Sequence, residues 1–345
     1  MLVRAARVED LDRLLHLAGG GGSGLTSLPA SEERLAQRLE SVQASFEGGV
    51  APADADYLFV LEDEAGQVVG TSGMLAAAGL REPWYSYRMG LTVTASRELN
   101  VYQQHPTLFL VNDLTGATAL CSYYYLPSER RGIETSRLLS KARFLFIAEF
   151  AAEFSPRVIV EMRGLSDIDG RSPFWDSLGK HFFRMEFARA DYLTGIGSKA
   201  FIAEMMPKFP LYACFLSQAA REAIGQVHPD SELGLAMFRE EGLTHQGYID
   251  IFDGGPTLEA PLAQVRAISE SRLLVLATGT PGDEAETFLI HNRGRQNCRI
   301  IAAPARMAAG TLVVSIESAE RLGLRAGSPV RAVSLVGRSS GGSLI

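Results

Sequence analysis

The chain reads as an α+β protein, with strands and amphipathic helices interleaved through most of its length and a small β-rich module at its end. Three observations lead there. First, Leu120–Met162 reads as strand, basic turn, long helix, strand. Second, the segments before it alternate between apolar strand runs and helices with one apolar side. Third, from about Ser271 the texture changes to short strands set apart by Gly, Pro and Asp turns.

In chain order, Leu2–Ala6 is expected as a strand and Val8–Leu17 as a helix with Leu11, Leu14, Leu15 and Ala18 on one side. The Gly19–Gly24 run reads as a flexible loop too short to link domains. Ser31 caps an amphipathic helix reaching Ser45, and Tyr57–Glu62 and Gln67–Ala77 form a hairpin around Asp63-Glu64-Ala65-Gly66. Leu91–Ala95 and Thr107–Leu110 are further strands. Leu120–Leu126, with three tyrosines in line, is a buried strand that Pro127 ends. A polar turn, residues 128–136, precedes the helix Arg137–Phe154. Its stripe of Leu138, Ala142, Leu145, Ala148 and Ala152 leaves Arg137, Lys141, Glu149 and Glu153 off the apolar side. Pro156 stops that helix and Arg157–Met162 opens another strand. Ser172–Phe183 and Leu233–Leu243 share a pattern of small residues, a bulky aromatic, Gly and then an apolar strand, which leaves an internal repeat open. The C-terminal module, 271–337, has strands at Leu273–Ala277, Phe288–His291, Arg299–Ile301, Thr311–Val314 and Val330–Val333 and one short helix, Glu317–Leu322. Residues 338–345 read as a disordered tail.

Composition narrows the function classes. Apolar residues at 46% and charged residues at 21% are ordinary globular values. A net charge of −7 argues against nucleic acid, which demands a clustered cationic surface. Cys121, Cys214 and Cys298 are few, odd in number and far apart, so neither a disulfide framework nor a zinc site follows, and a reducing compartment is the simplest setting. Glu9 and Asp10 interrupt what would be a signal-peptide core, and no apolar run approaches the roughly eighteen residues of a membrane helix. The expectation is a soluble, cytoplasmic protein with no resident metal.

A basic, glycine-containing turn feeding a helix N terminus is a ready anion site, because free N–H groups and the helix dipole both face the ligand. It reads equally as an ordinary strand-to-helix connection.

Several blocks carry a resemblance to a known family. Leu25–Pro29 (LTSLP), Tyr57–Asp63 (YLFVLED), Thr107–Gly116 (TLFLVNDLTG), Glu161–Gly164 (EMRG), Ser172–Phe183 (SPFWDSLGKHFF), Lys199–Pro207 (KAFIAEMMP), Gly225–Pro229 (GQVHP) and Tyr248–Leu258 (YIDIFDGGPTL) look like successive blocks of the arginine N-succinyltransferases, in the family's order. Within that family, the chain resembles most the second, beta subunit of a pair acting on arginine and ornithine. The order strand, two helices, antiparallel strands, strand-turn-helix also resembles the GNAT-like acyl-CoA N-acyltransferase superfamily. That likeness implies a central, mostly antiparallel sheet flanked by helices over residues 1–270.

The resemblance implies succinyl-CoA as acyl donor and L-arginine, with L-ornithine open, as acceptor. It also implies an oligomer, either of one chain or with a related alpha subunit. The superfamily's pyrophosphate turn corresponds to Arg131-Gly132-Ile133-Glu134-Thr135-Ser136, with Glu134 and Ser136 where glycines are usual. Arg131 and the N–H groups of Gly132 to Ser136, Thr135 among them, become donor ligands, and a Ser136 hydroxyl can add to them. Tyr123 corresponds to a position that contacts succinyl-CoA, and reads otherwise as a packed ring. The superfamily's usual tyrosine acid is missing, since Trp175 and Phe238 stand at the matching places. His228 matches the family's proton-donor histidine and titrates near working pH; without the resemblance it reads as a loop histidine.

Glu161, flanked by Val160 and Met162, is the next candidate for proton handling, or pairs with Arg163. A guanidinium wants a bidentate carboxylate, which makes Asp113, Asp250 and Asp253 candidates, each equally able to cap a turn. Arg88 and Arg163 are candidates for the succinyl carboxylate. Two other readings stay open: an acyltransferase with another donor or amine, and a non-catalytic supporting subunit.

Overall fold

A computed structural model describes residues 1–20, 27–126, 132–167, 169–195 and 205–337. Its strands join in one continuous sheet, and its order explains where the chain places its chemistry. β1 (Leu2–Ala5) pairs antiparallel with β2 (Asp56–Glu62), β2 with β3 (Val68–Leu75), and β3 with β6 (Thr118–Tyr125). The β2–β3 connection is the expected tight turn, with Gly66 at φ 76. β6 then runs parallel to β7 (Arg157–Glu161), which continues antiparallel into β10 (Pro256–Pro261) and β9 (Thr244–Ile249). Beyond β9 lies the hairpin β4 (Ser86–Ser96) and β5 (Val101–Val111), edged by the two-residue β8 (Leu211–Tyr212).

Tyr57 to Leu61 of β2 are all buried, because helices cover both faces. α1 (Leu11–Gly20) and α2 (Glu32–Glu47) lie against β3 and β2, while α3 (Ile133–Glu149) also lies against β3. Phe46, Tyr57, Phe59 and Phe146 meet there with ring centroids 5.1–5.5 Å apart, an arrangement worth about 0.5–1.5 kcal/mol per pair beyond the area buried.

α3 corrects two expectations. It begins at Ile133, four residues early, behind Gly132 at φ 92. It also has no solvent stripe: Lys141 and Arg143 are 1% and 0% exposed. The polar side faces protein. Lys141 pairs with Glu241 at 2.8 Å and Glu240 at 3.2 Å, Glu149 receives Arg293 and Arg331, each at 2.8 Å, and Glu153 receives Arg295 just past the helix. Periodicity reveals which residues are polar, but not whether water or counter-ions satisfy them.

The chain's last strands close on themselves. β11 (Arg272–Thr278) pairs with β14 (Thr311–Val314) and β15 (Pro329–Ser334); β12 (Glu286–His291) pairs with β15 and with β13 (Arg299–Ala308); and β13 pairs with β14. Five strands thus form a ring around Leu276, Ile290, Ala305, Leu312 and Leu322. β13 is far longer than expected because it runs on past Ile301 to pair with β12 through Ala305 and with β14 through Ala308, while its start pairs with β1 through Val3–Ile300 and Arg4–Arg299.

The two segments read as a repeat diverge in form. Ser172 caps a short helix, Pro173–Ser177, followed by another, Gly179–Phe183, where a strand is expected. Leu233–Leu243 instead holds one helix, Glu232–Glu240, leading into β9. Gly179 explains the break, since a Cβ there would lie 2.2 Å from the Trp175 ring.

Candidate active site

β6 and β7 pair over only Thr118–Leu120 and Val158–Val160. Past that point β6 continues to Tyr125, whereas β7 stops at Glu161 and its chain turns toward β10, with Met162 N–H donating to Pro256 O at 3.0 Å. The carboxyl ends of parallel strands are where such sheets leave a crevice. The N terminus of α3 opens at the same end, because α3 is the crossover between the two strands.

The β6 wall carries a bulge. Ser122 has φ 52, and the register against β3 slips between Thr71 and Gly73. A non-glycine residue held there costs about 1–3 kcal/mol and persists only where neighbours enforce it. They do. Ser122 N–H donates to Ser27 Oγ at 2.8 Å, its hydroxyl donates to Ser27 O at 2.8 Å, and Arg38 Nη1 reaches its Oγ at 2.9 Å. Arg38 is itself clamped by both Asp56 oxygens. From the α3 side, Arg143 donates to Gly73 O at 3.2 Å and Cys121 O at 3.3 Å. No carboxylate pairs with it among the described residues, and burial pushes the guanidinium down to about 10. The rings of Tyr123 and Phe238 lie 5.9 and 5.8 Å away. None of Ser122, Arg38 and Arg143 is singled out by the sequence reading. A lone arginine between Ala142 and Phe144 inside an apolar stripe was the available signal.

At the α3 end, Tyr123 and Tyr125 project to the helix side. Tyr123 donates its hydroxyl to Ser136 O at 3.4 Å, and Tyr125 shares a 2.7 Å hydrogen bond with Ser136 Oγ. This corrects one expectation: the Ser136 hydroxyl is 1% exposed and engaged, leaving only its backbone for a ligand. Thr135 is buried as well, while Gly132 and Glu134 are exposed. Among the described residues no side chain caps this N terminus, which leaves the dipole end and its first N–H groups as candidates for an anion. Arg131 lies outside the described residues.

Across the crevice, the chain after β7 is held by two fixed points. His228 N–H donates to Arg163 O at 2.8 Å, and Asp253 accepts the N–H of Gly164 at 2.7 Å and of Gly255 at 2.8 Å. His228 Nδ1 accepts Asp230 N–H at 3.2 Å, which puts the neutral ring's proton on Nε2. Burial first, then the charge of Arg163, hold this imidazole below its ordinary pKa. Arg163 itself donates to Ser166 Oγ at 3.0 Å.

The structure brings His228 and Asp253 against the segment after β7 that carries Arg163, with Glu161 beside it in sequence at the end of β7. It gives Asp250 and Asp253 another task than holding a guanidinium. Asp250 Oδ1 accepts the N–H groups of Phe252 and Asp253. Both carboxyls are buried, which pushes their pKa up, Asp253's further through the charge of Asp250. Their carboxylates shape the turn by accepting these backbone N–H groups.

Arg88 and Asp113 sit apart. Glu161 faces Thr257, Thr257 faces Tyr248, and Tyr248 faces Arg88 on successive strands. Three strand spacings place Arg88 roughly 14 Å from Glu161. Asp113 there accepts the Tyr248 hydroxyl at 3.1 Å and Arg88 Nη1 at 3.4 Å. Between the two ends of this row, Thr257 Oγ1 is buried without a hydrogen bond, a polar atom that the sequence reading also missed.

Comparison with known proteins agrees along the whole chain. The family described as arginine N-succinyltransferase beta subunit matches residues 1–267, and its C-terminal domain matches 271–334. The arginine N-succinyltransferase subunit beta of Pseudomonas aeruginosa is 60% identical over 99% of this chain and 100% of its own length. The arginine N-succinyltransferase of Yersinia pseudotuberculosis is 48% identical over 97% of this chain and 98% of its own. Among solved structures, arginine/ornithine succinyltransferase subunit AI from Pseudomonas aeruginosa superposes with a TM-score of 0.89 at 35% identity, covering 97% of this chain and 99% of that one. The chain belongs to the arginine N-succinyltransferase beta subunit family.

Proposed function

We propose that this chain transfers the succinyl group of succinyl-CoA to the α-amino group of L-arginine, or of L-ornithine, releasing CoA as the first step of arginine breakdown. The observation that carries the reading is the 60% identity to a named arginine N-succinyltransferase subunit across 99% of the chain. The parted β6–β7 ends, with an uncapped helix terminus on one side and His228 on the other, supply a place for the reaction. We read residues 1–270 as a GNAT-like acyltransferase domain and 271–337 as a separate module. The relative's description as a subunit supports work in an oligomer with a related alpha chain, and the free thiols suit the cytoplasm.

In this reading Arg131 and the N–H groups of Gly132 to Ser136 hold the pyrophosphate, and Tyr123 flanks the pantetheine end of the donor. The thioester lies between the strand ends. Glu161 takes a proton from the substrate ammonium, and the freed amine nitrogen attacks the thioester carbon. The attacking nitrogen then gives its surplus proton to neutral His228, and when the C–S bond breaks the sulfur takes a proton back from that cation, leaving the amide, the CoA thiol and a neutral imidazole, while Glu161 returns its proton to water. Asp230 Oδ2, 3.6 Å from Nδ1, offers this cation an ion-pair partner. A lowered pKa makes the cation a stronger acid at the moment of transfer. Arg163 beside His228 is the nearer candidate for the succinyl carboxylate; Arg88 and Asp113 fit the far end of the acceptor.

Thiol release by the purified chain tests the reading, with succinyl-CoA or acetyl-CoA against arginine, ornithine and lysine. Succinyl-CoA with arginine is expected to lead. Equal rates with both donors would remove the succinyl assignment.

A further inference from the structure

Ser27 is held against the β6 bulge through both its backbone and its side chain. Its carbonyl accepts the Ser122 hydroxyl at 2.8 Å and the Arg38 guanidinium, and its Oγ accepts the Ser122 N–H at 2.8 Å. Asp56 fixes Arg38 in turn, at 2.7 and 2.9 Å. Yet Ser27 is only half-buried, and its own hydroxyl proton has no acceptor among the described residues.

The peptide unit between Cys121 and Ser122 is bonded at both ends. Its C=O accepts Arg143 at 3.3 Å, and its N–H is the one donated to Ser27 Oγ. Arg143 is fully buried, and its other acceptors are Gly73 O, Ser140 O and Ser140 Oγ, so no counter-ion spends its charge among the described residues. Each bond in such a chain polarises the next. The chain from Arg143 therefore ends at the Ser27 hydroxyl hydrogen and makes it a better donor.

That hydrogen lies beside the crevice. Leu120 is the last β6 residue paired with β7, so Cys121 and Ser122 begin the free wall. Ala119 pairs with Ile159, and Cys121 and Glu161 stand two residues on from each, so the two share one face of the sheet. Arg38 lies 4.0 Å from Cys121 Sγ and 2.9 Å from Ser122 Oγ, which puts Ser27 on the Glu161 face as well.

We propose that the Ser27 hydroxyl is a catalytic hydrogen-bond donor to the thioester carbonyl oxygen. This role rests on the acyl-transfer reading and adds to it a group for the oxygen, where Glu161 and His228 serve the nitrogen and the sulfur. As the amine nitrogen bonds to the carbon, the C=O π pair moves onto the oxygen. Ser27 donates to that oxyanion and keeps its proton, and when the pair returns the C–S bond breaks. A donor already fixed in place needs no reorganisation at that moment.

Ser27→Ala should lower kcat by roughly 100- to 1000-fold, as for loss of one oxyanion donor, with donor affinity by calorimetry little moved. Ser27→Thr keeps a hydroxyl and should recover most of that loss. Succinyl-CoA isotope-labelled at the thioester carbonyl reads the contact directly, because a hydrogen bond weakens C=O. Its infrared band bound to the wild-type chain should lie below its band bound to Ser27→Ala. An identical band, near-normal kcat in folded Ser27→Ala, or Ser27→Thr no better than Ser27→Ala would each overturn the role. Should Ser27→Ala fail to fold, the same band comparison with Ser27→Cys, whose thiol is a weak donor, decides. A wild-type chain that shows the lowered band but releases no thiol with any of the amines strikes the acyl-transfer reading, while the Ser27 contact is upheld.

Discussion

The two ends of the sheet handle unpaired strand edges in opposite ways. At one end, β11 to β15 close on themselves, so no ladder of N–H and C=O groups is left open within the ring. At the other, β4 and β5 run out as a ribbon with both edges open over most of their length among the described residues. Closure abolishes edges, and an open edge without charge invites pairing. The difference teaches that one sheet can be finished internally at one end and left open among the described residues at the other, with the candidate site between them.

The largest expected effect tests whether the middle is independent of both ends. His228→Ala should lower kcat by roughly 10²–10⁴-fold, with donor affinity by calorimetry and the unfolding midpoint nearly unchanged. The wild-type kcat profile should carry an ionisation, displaced downward from the ordinary histidine value, that the variant lacks. A folded variant with near-normal kcat shifts the proton-donor role to Glu161.

Next comes the attachment of the closed end. Glu241 is fully buried and receives Lys141 at 2.8 Å, Arg266 at 2.7 Å and Ala267 N–H at 2.7 Å. Lys141 also donates to Leu335 O at 3.1 Å, just beyond the ring's last strand. Glu241→Gln takes the buried charge from between Lys141 and half-buried Arg266, which keep Glu240 and Glu270, each at 3.2 Å, and should cost about 3 kcal/mol in urea unfolding, the low end for a broken buried pair. A loss below 1 kcal/mol would mean that the ring is held by apolar contact alone.

A third effect depends on pH. His291, on β12, is 0% exposed and burial pushes it from 6.5 down to about 4. The unfolded chain therefore binds this proton first, so stability is full above pH 6.5 and falls as pH drops toward 4. The loss reaches about 3 kcal/mol by the lower value. His291→Gln should flatten that slope; an unchanged slope assigns it to other groups.

The smallest effect belongs to the open end. Leu91→Ser should move stability by no more than about 0.5 kcal/mol, as for a surface position. A loss of several kcal/mol would show the ribbon packed within its own chain, and the contrast between the ends would vanish.

Much of the centre was legible in the sequence. The two strands and the helix around residues 120–162 follow from apolar periodicity, although the helix runs Ile133–Glu149 and ends before Pro156 can act, and the β2–β3 hairpin follows from its Gly66 turn. The ends were less legible. Leu91–Ala95 and Thr107–Leu110 mark only half of each ribbon strand, because Thr, Gln and His fill the alternate positions and blur the pattern. Ring closure left no local trace either, since it depends on β12 meeting both β13 and β15. At the candidate site, His228 is proposed from its match to the family motif. Ser122, Arg38 and Arg143 act through geometry between strands far apart in sequence, which no spacing reports. Asp250 and Asp253 illustrate the converse: acidic residues among apolar ones can be turn formers whose partners are backbone N–H groups.

The pairing of Val3 with Ile300 and of Arg4 with Arg299 has a consequence for how the chain is made. One side of β1 has no native neighbour until residue 300 has left the ribosome. At roughly 5–20 residues per second that is a delay of about 15–60 s. Through that interval the nascent sheet carries an unfinished edge, and loop closure across nearly the whole chain comes late. A chain released before residue 300 would keep that edge permanently, so truncation within the ring should show itself first as aggregation during synthesis.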